Sequence, residues 1–86
     1  MITLSDVSYK IEQDFGVLGN PTGSWSIHLC LVSWNGRKAK FDIRPWNEDM
    51  TKCGKGITLS EDELNSLFVL SAEALGYDVE DDQNEE

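Results

Sequence analysis

Basic and aromatic side chains are interleaved in the middle of this 86-residue chain, and together they suit the binding of an unpaired nucleic-acid strand. Six of the seven basic residues lie between positions 37 and 55, and all three tryptophans lie between positions 25 and 46. Cationic side chains neutralise phosphates, and flat rings offer stacking faces to unpaired bases. An ordinary solvated strand face is the alternative interpretation of this pattern.

A thiol and an imidazole form a second candidate group. His28 and Cys30 are two residues apart in a strand-like run, so their side chains point to the same face. Such a pair can activate a nucleophile, but no further member of a catalytic triad is visible, so we interpret both as half-buried strand residues. A structural zinc site normally has four Cys/His ligands. Only Cys53 remains as a third, and we therefore expect no metal or other cofactor.

An enzyme is not predicted. Metal-dependent nucleases need clustered carboxylates, and Glu48 with Asp49 is the only pair of loop acids near the basic residues. No small-molecule substrate is indicated. No apolar run approaches the roughly 20 residues of a membrane span, and no signal pattern opens the chain. We therefore expect a cytoplasmic protein with reduced thiols and no membrane partner.

The charge of the chain is segregated along its length. The formal net charge is −9, yet residues 25–59 carry six bases against three acids, and residues 60–86 carry ten acids and no base. Net charge alone would exclude nucleic acid, but the basic middle segment reverses that expectation. We expect residues 77–86 to form an acidic, disordered, solubilising tail, or a competitor for the basic face. Residues 1–76 are expected to form one domain.

Alternation of apolar and polar residues predicts the strands that position these groups. Residues 19–23 form a turn cluster, and residues 47–54 are expected to form a loop. Short connections favour antiparallel pairing. The fold class is therefore α+β, with a four-stranded antiparallel sheet followed by one helix. The predicted strands cover residues 7–17, 25–34, 38–44 and 56–59.

The predicted helix has an explicit start and end. Ser60 and Glu63 match a capping box, and Gly76 indicates the C-terminal end. Apolar residues recur at spacings of three and four, and further apolar residues widen this surface beyond one stripe. We expect the additional surface to pack on a partner subunit; the alternative is a helix sunk deeply into its own sheet. The residues expected at this dimer interface are Leu67, Val69 and Leu70.

Two pairing registers are open for the hairpin between the second and third strands. A two-residue Asn35-Gly36 turn would pair Leu31 with Lys40 and place the basic row beside the apolar row. An odd loop, for example residues 35–37, would pair Leu31 with Phe41 and separate the two rows. A slip of one residue flips every side chain. Because burial of the basic row under a helix is unfavourable, we favour the odd loop.

Two short segments, in this order, resemble a known family. The first is Asp42-Ile43-Arg44, followed closely by Trp46. The second is Gly54-Lys55-Gly56-Ile57-Thr58-Leu59-Ser60, which leads into the helix. Together they resemble the positive cofactor four family of transcriptional coactivators, and most closely its small bacterial YdbC-like members. The matching stretch covers about half of the chain.

The resemblance implies a curved four-stranded antiparallel sheet with a C-terminal helix. It also implies a homodimer built largely by the helices, and binding of single-stranded DNA with little sequence preference. Trp34 lies near the family's hairpin aromatic, and local charge adds Arg37 and Lys52. The family's basic and aromatic positions are matched by Lys38, Lys40, Arg44, Trp46 and Lys55.

The sequence therefore predicts a dimeric module for single-stranded DNA, or RNA, that serves transcription, replication or repair. The basic residues would neutralise phosphates, and Trp34 and Trp46 would stack on bases. Asp42 would orient Arg44 through an ion pair. The alternative is a protein-interaction module whose basic face binds an acidic partner, with the two tryptophans as interface anchors.

Overall fold

The computed structural model describes residues 2–3 and 8–77 of the chain, which form one antiparallel sheet followed by one helix. The predicted α+β fold class is confirmed. Val7 of the predicted first strand, and residues 78–86 of the predicted acidic tail, lie outside the described residues. The elements are β1 (Ile2–Thr3), β2 (Tyr9–Thr22), β3 (Trp25–Trp34), β4 (Lys40–Trp46), β5 (Lys52–Cys53), β6 (Ile57–Leu59) and α1 (Glu61–Leu75).

Strand β4 lies at the centre of the sheet. It pairs with β3 along one edge, while β5 and β6 share its other edge. The predicted fourth strand, residues 56–59, is present as β6, and β5 is an additional short strand within the segment, residues 47–54, that was expected to be a loop. The side-chain oxygen of Asn47 accepts hydrogen bonds from the backbone N–H groups of Thr51 (2.9 Å) and Lys52 (2.8 Å). These bonds fold the chain back so that β5 returns beside β4.

The link between β5 and β6 lies close against β4 because two of its residues carry no side chain. A Cβ atom on Gly54 would lie 2.8 Å from the ring of Pro45, and one on Gly56 would collide with Arg44. The backbone N–H of Gly54 also donates to the carbonyl oxygen of Pro45 (2.9 Å). Lys55, between the two glycines, is exposed to solvent.

Strand β2 runs for 14 residues and passes through the predicted turn cluster before the chain reverses. Its pairing with β3 shifts register three times, after Ile11, after Asp14 and after Leu18. The interruption predicted at Gln13 is the first of these shifts. The extra residue at the first shift keeps Asp14, opposite Cys30, on the same face as Ile11.

The second hairpin adopts the register that burial favours rather than the one that its local turn signal favours. Leu31 lies opposite Phe41, as predicted. The loop covers residues 35–39 and so has an odd length. Asn35 (φ 54°) and Gly36 (φ 74°) both take the left-handed conformation that this dipeptide tolerates, but three further residues follow before β4. The bases of β4 consequently lie on the face opposite to the apolar row.

Helix α1 begins and ends as predicted. Ser60 accepts a hydrogen bond from the N–H of Glu63 (3.1 Å), and Glu63 accepts one from the N–H of Ser60 (2.8 Å). Among the described strands the helix packs only against β4 and β6, and Ala72 is its one buried residue. The apolar residues predicted at a dimer interface are exposed in the single chain: Leu67 by 40%, Val69 by 37% and Leu70 by 61%. Within the described part of the chain, no helix has the length and apolar character of a membrane span.

Candidate nucleic-acid interface

The pairing register sorts the side chains of the sheet into two faces. The apolar face carries Ile27, Leu29, Leu31, Phe41 and Ile43. The polar face carries Tyr9, Ile11, Asp14, His28, Cys30, Val32, Trp34, Lys40, Asp42, Arg44 and Trp46. Half of the predicted nucleic-acid-binding residues are thus brought together on the polar face: Trp34, Lys40, Arg44 and Trp46.

Asp42 is the hub of the polar face. Its carboxylate is fully buried and accepts hydrogen bonds from Arg44 Nε (2.6 Å) and Nη2 (2.8 Å). Trp34 Nε1 (3.2 Å) and Thr58 Oγ1 (3.1 Å) donate two more. A buried carboxylate is unfavourable unless its oxygens are satisfied, and four donors meet that requirement. The predicted ion pair between Asp42 and Arg44 is confirmed, whereas no pattern in the sequence indicates that Thr58 joins it.

The side chain of Arg44 is largely buried and is paired within the protein. Its side chain is 11% exposed, and its guanidinium lies 4.8 Å from the centre of the Trp34 ring. Burial disfavours the charged form, but the hydrogen bonds and negative charge of Asp42 outweigh burial and raise the pKa of Arg44 above its ordinary value. The cation is therefore already compensated within the chain. The contact of Arg44 with a phosphate stays a prediction.

Three aromatic side chains pack together beside this ion pair. The Trp34 and Trp46 rings are stacked, with centroids 6.3 Å apart and planes 11° from parallel. Tyr9 lies 6.0 Å from Trp34 and 5.6 Å from Trp46, and its hydroxyl donates to the carbonyl oxygen of Met50 (2.7 Å). The sequence alternation put Tyr9 on a strand but did not reveal that it completes the cluster.

The Trp46 ring packs against Tyr9 and Trp34 and has no exposed surface that a ligand could contact. Its exposed fraction is 0%, and its indole N–H has no hydrogen-bond partner among the described residues. Trp46 therefore has no exposed face on which a base could stack in this structure, and its stacking role stays a prediction without structural support. Trp34 is only half-buried, so it is the tryptophan of this pair whose ring a ligand can reach.

The five other cations predicted to bind nucleic acid have no acidic partner among the described residues. All five are exposed, and within the described parts of the chain none of them forms a salt bridge. Lys38 and Lys40 line a groove of about 200 Å³ between β4 and the start of α1. Because these charges are uncompensated and solvated, they are available for contacts with phosphates. The five cations are Arg37, Lys38, Lys40, Lys52 and Lys55.

The thiol–imidazole pair has no nucleophilic character. Cys30 is fully buried, and burial, together with the charge of Asp14, raises the pKa of its thiol to about 12. Such a thiol is protonated at neutral pH, whereas nucleophilic cysteines have lowered pKa values. The interpretation of His28 and Cys30 as strand residues rather than a catalytic pair is supported. Cys30 and Cys53 are both free cysteines.

Comparison of the sequence with known proteins assigns this chain to a family. Residues 22–69 match the sequence profile of the family described as Transcriptional Coactivator p15 (PC4). An uncharacterized protein of Treponema pallidum (strain Nichols) is 42% identical over 62 residues, which cover 72% of this chain and 73% of that protein. The chain belongs to the PC4 family, and the resemblance identified from the sequence is confirmed. Its assignment to the YdbC-like members stays a prediction.

Proposed function

We propose that this chain is a homodimeric module that binds single-stranded nucleic acid, preferentially DNA, with little dependence on sequence. Membership of the PC4 family supports nucleic acid as the ligand. One observation carries the proposal: among the described residues, the five other cations predicted to contact phosphates are exposed and form no salt bridge, whereas the buried Arg44 is paired with Asp42. The module acts in the cytoplasm, in transcription, replication or repair, and the proposal assigns it no catalytic step.

The polar face favours an unpaired strand over a duplex. The accessible part of Trp34 lies within a sheet face, where only a base that is free of its partner strand can reach it. Asp42 and the Trp46 ring hold this indole in a fixed orientation, so little side-chain entropy is lost on stacking. Stacking tolerates any base, because each base has a flat face.

A second copy of the chain is part of the proposal because much apolar surface is uncovered. Leu67 and Leu70 of α1 are exposed, as are Phe15, Ile27 and Ile57 of the sheet. Monomeric proteins rarely leave such large apolar side chains uncovered in a contiguous patch. Packing of two helices would bury this surface and would present two polar faces to one strand.

Fluorescence anisotropy tests the proposal directly. A labelled oligo-dT, the matching duplex and an oligo-rU are titrated with the protein at two salt concentrations. We expect salt-sensitive binding to oligo-dT, weaker binding to oligo-rU and little binding to the duplex. Absence of binding to all three probes at low salt would overturn the proposal and would favour the protein-interaction module.

Lys40→Ala tests the contact with phosphate. Loss of one phosphate contact should reduce the slope of log affinity against log salt by about 0.7 for a single strand. Lys10→Ala is the matched control, because Lys10 is also exposed but points away from the polar face. An unchanged slope for Lys40→Ala, or an equal reduction for Lys10→Ala, would remove the polar face from the binding site.

A further inference from the structure

Three metal-ligating side chains of different types converge on the polar face, where Cys30 lies opposite Asp42 and His28 lies opposite Arg44. Asp14 lies directly opposite Cys30 across β2 and β3, and His28 precedes Cys30 by two residues on the same face. The ligating atoms of all three lie within 4.8 Å of one another. The proposed nucleic-acid site uses none of them.

The imidazole of His28 is held from both sides. Nδ1 lies 2.9 Å from Asp14 Oδ2, and Nε2 lies 2.9 Å from Ser26 Oγ. In the tautomer in which Nε2–H donates to Ser26, Nδ1 presents a lone pair to the carboxylate. A divalent cation bound between this nitrogen and the carboxylate would take the place of the Nδ1–H···Oδ2 hydrogen bond of the other tautomer. Ser26 then has the part that outer partners play in metal sites, where they fix the tautomer and orientation of a ligating histidine.

We propose that Asp14, His28 and Cys30 bind a divalent transition-metal ion, which would displace the thiol proton of Cys30, and Zn²⁺ is the best match. One nitrogen, one sulfur and one carboxylate oxygen form a mixed set that suits Zn²⁺, whereas Ca²⁺ and Mg²⁺ prefer oxygen alone. No metal site was predicted from the sequence, because His28, Cys30 and Cys53 are fewer than the four cysteine or histidine ligands of a structural zinc site. The register shift in β2 supplies the third donor.

The geometry needs only small adjustments to close around the ion. Bonds of about 2.0–2.3 Å place the ligand atoms of a tetrahedral zinc site about 3.3–3.8 Å apart. The ligand atoms now lie from 2.9 Å apart, for His28 Nδ1 and Asp14 Oδ2, to at most 4.8 Å apart, so side-chain rotation that moves them by up to about 1 Å can bring them to this spacing. Cys30 is fully buried and Asp14 is exposed, so the ion enters from the side of Asp14 and keeps its fourth position for solvent.

The test uses the full chain, first treated with a chelator under a non-metal-binding reductant. Zn²⁺ is titrated against a competing chromophoric chelator, and Co²⁺ is added separately as a spectroscopic probe. We expect one Zn²⁺ per chain and a thiolate-to-cobalt charge-transfer band. Absence of stoichiometric Zn²⁺ binding would overturn the proposal.

Variants assign the ligands. Asp14→Asn and His28→Ala should each weaken Zn²⁺ binding by at least tenfold, and Ser26→Ala by about 10–100-fold. Cys30→Ser should abolish the charge-transfer band, while Cys53→Ser, at the other buried cysteine, should retain it. Circular dichroism checks that each variant is folded; Asp14→Asn changes an exposed side chain and keeps the test decisive if Cys30→Ser does not fold. Wild-type affinity in Asp14→Asn and His28→Ala, or loss of the band in Cys53→Ser alone, would overturn the assignment.

Discussion

At the scale of single residues, Asp42 determines the geometry of the polar face. Its carboxylate joins three strands, since its donors come from Trp34 in β3, Arg44 in β4 and Thr58 in β6. Removal of one member of a buried ion pair leaves the other charge uncompensated. Replacement of both members by apolar residues is far better tolerated.

Asp42→Ala is therefore expected to lower the free energy of unfolding by about 3–5 kcal/mol, measured by urea denaturation. The double variant Asp42→Leu/Arg44→Met should recover most of this loss, because no buried charge remains. It should still bind oligo-dT more weakly than the wild type, since the indole of Trp34 has lost its acceptor. Wild-type stability in Asp42→Ala would contradict the role of the pair.

The two stacked tryptophans should respond differently to truncation. Trp46→Ala removes a fully buried ring, so we expect it to destabilise the fold by about 3–5 kcal/mol. Trp34→Ala removes the accessible ring and should weaken binding of oligo-dT by about 1–3 kcal/mol, with a smaller loss of stability. Both variants are measured by urea denaturation and by anisotropy. A Trp46→Ala variant with wild-type stability and impaired binding would restore Trp46 as a direct contact.

At the scale of elements, the position of the short strands β5 and β6 beside β4 depends on Gly54 and Gly56, the two glycines that flank Lys55. Their bare backbones allow the link between β5 and β6 to lie against Pro45 and Arg44. The same link fixes the position at which Lys55 leaves the sheet. The close approach of this link to β4 therefore affects both the stability of the sheet and the position of Lys55.

Gly56→Ala tests this dependence. Its Cβ atom would collide with Arg44, so we expect a loss of about 1–3 kcal/mol of stability and weaker binding of oligo-dT. Gly76→Ala is the control, because Gly76 has a positive φ of 82° but open space around it. The control should lose about 1–2 kcal/mol through backbone strain alone and should bind normally. Normal binding by Gly56→Ala would separate the link from the site.

The elements differ in how far the sequence predicted them. Alternation and the unfavourable burial of lysines predicted the register of β3 and β4, and the capping box predicted the start of α1. Strand β5 was missed because a side chain, Asn47, folds the turn that creates it. Trp46 follows the predicted third strand, and its place in the sequence does not tell whether neighbouring side chains cover it. Burial of Trp46 depends on Tyr9, which is remote in sequence.

At the scale of the whole molecule, one helix leaves most of the sheet's apolar face uncovered. Ala72 is the only buried residue of the helix, and the helix packs against only two of the described strands. Burial of apolar surface contributes about 25 cal/mol per Å², so association of two copies has a substantial driving force. The stability of the fold and its state of assembly should consequently change together.

Leu70→Glu tests the association. Leu70 is 61% exposed in the single chain, so a charge there should leave the fold of the subunit intact while opposing the packing of two helices. We expect light scattering to give the mass of a dimer for the wild type and of a monomer for Leu70→Glu. Wild-type dimers in the variant would move the interface away from Leu67, Val69 and Leu70.

The internal pairing of Arg44 also has an evolutionary consequence. Substitutions in Asp42-Ile43-Arg44 should be selected against through folding, because the pair is buried. Exposed lysines such as Lys38 and Lys40 contribute little to folding and can vary without that constraint. A motif search based on the arginine segment will therefore retrieve relatives that share the scaffold, including descendants whose affinity has drifted. We expect the number of solvent-facing lysines in each relative to indicate whether it retains the proposed binding of single-stranded nucleic acid.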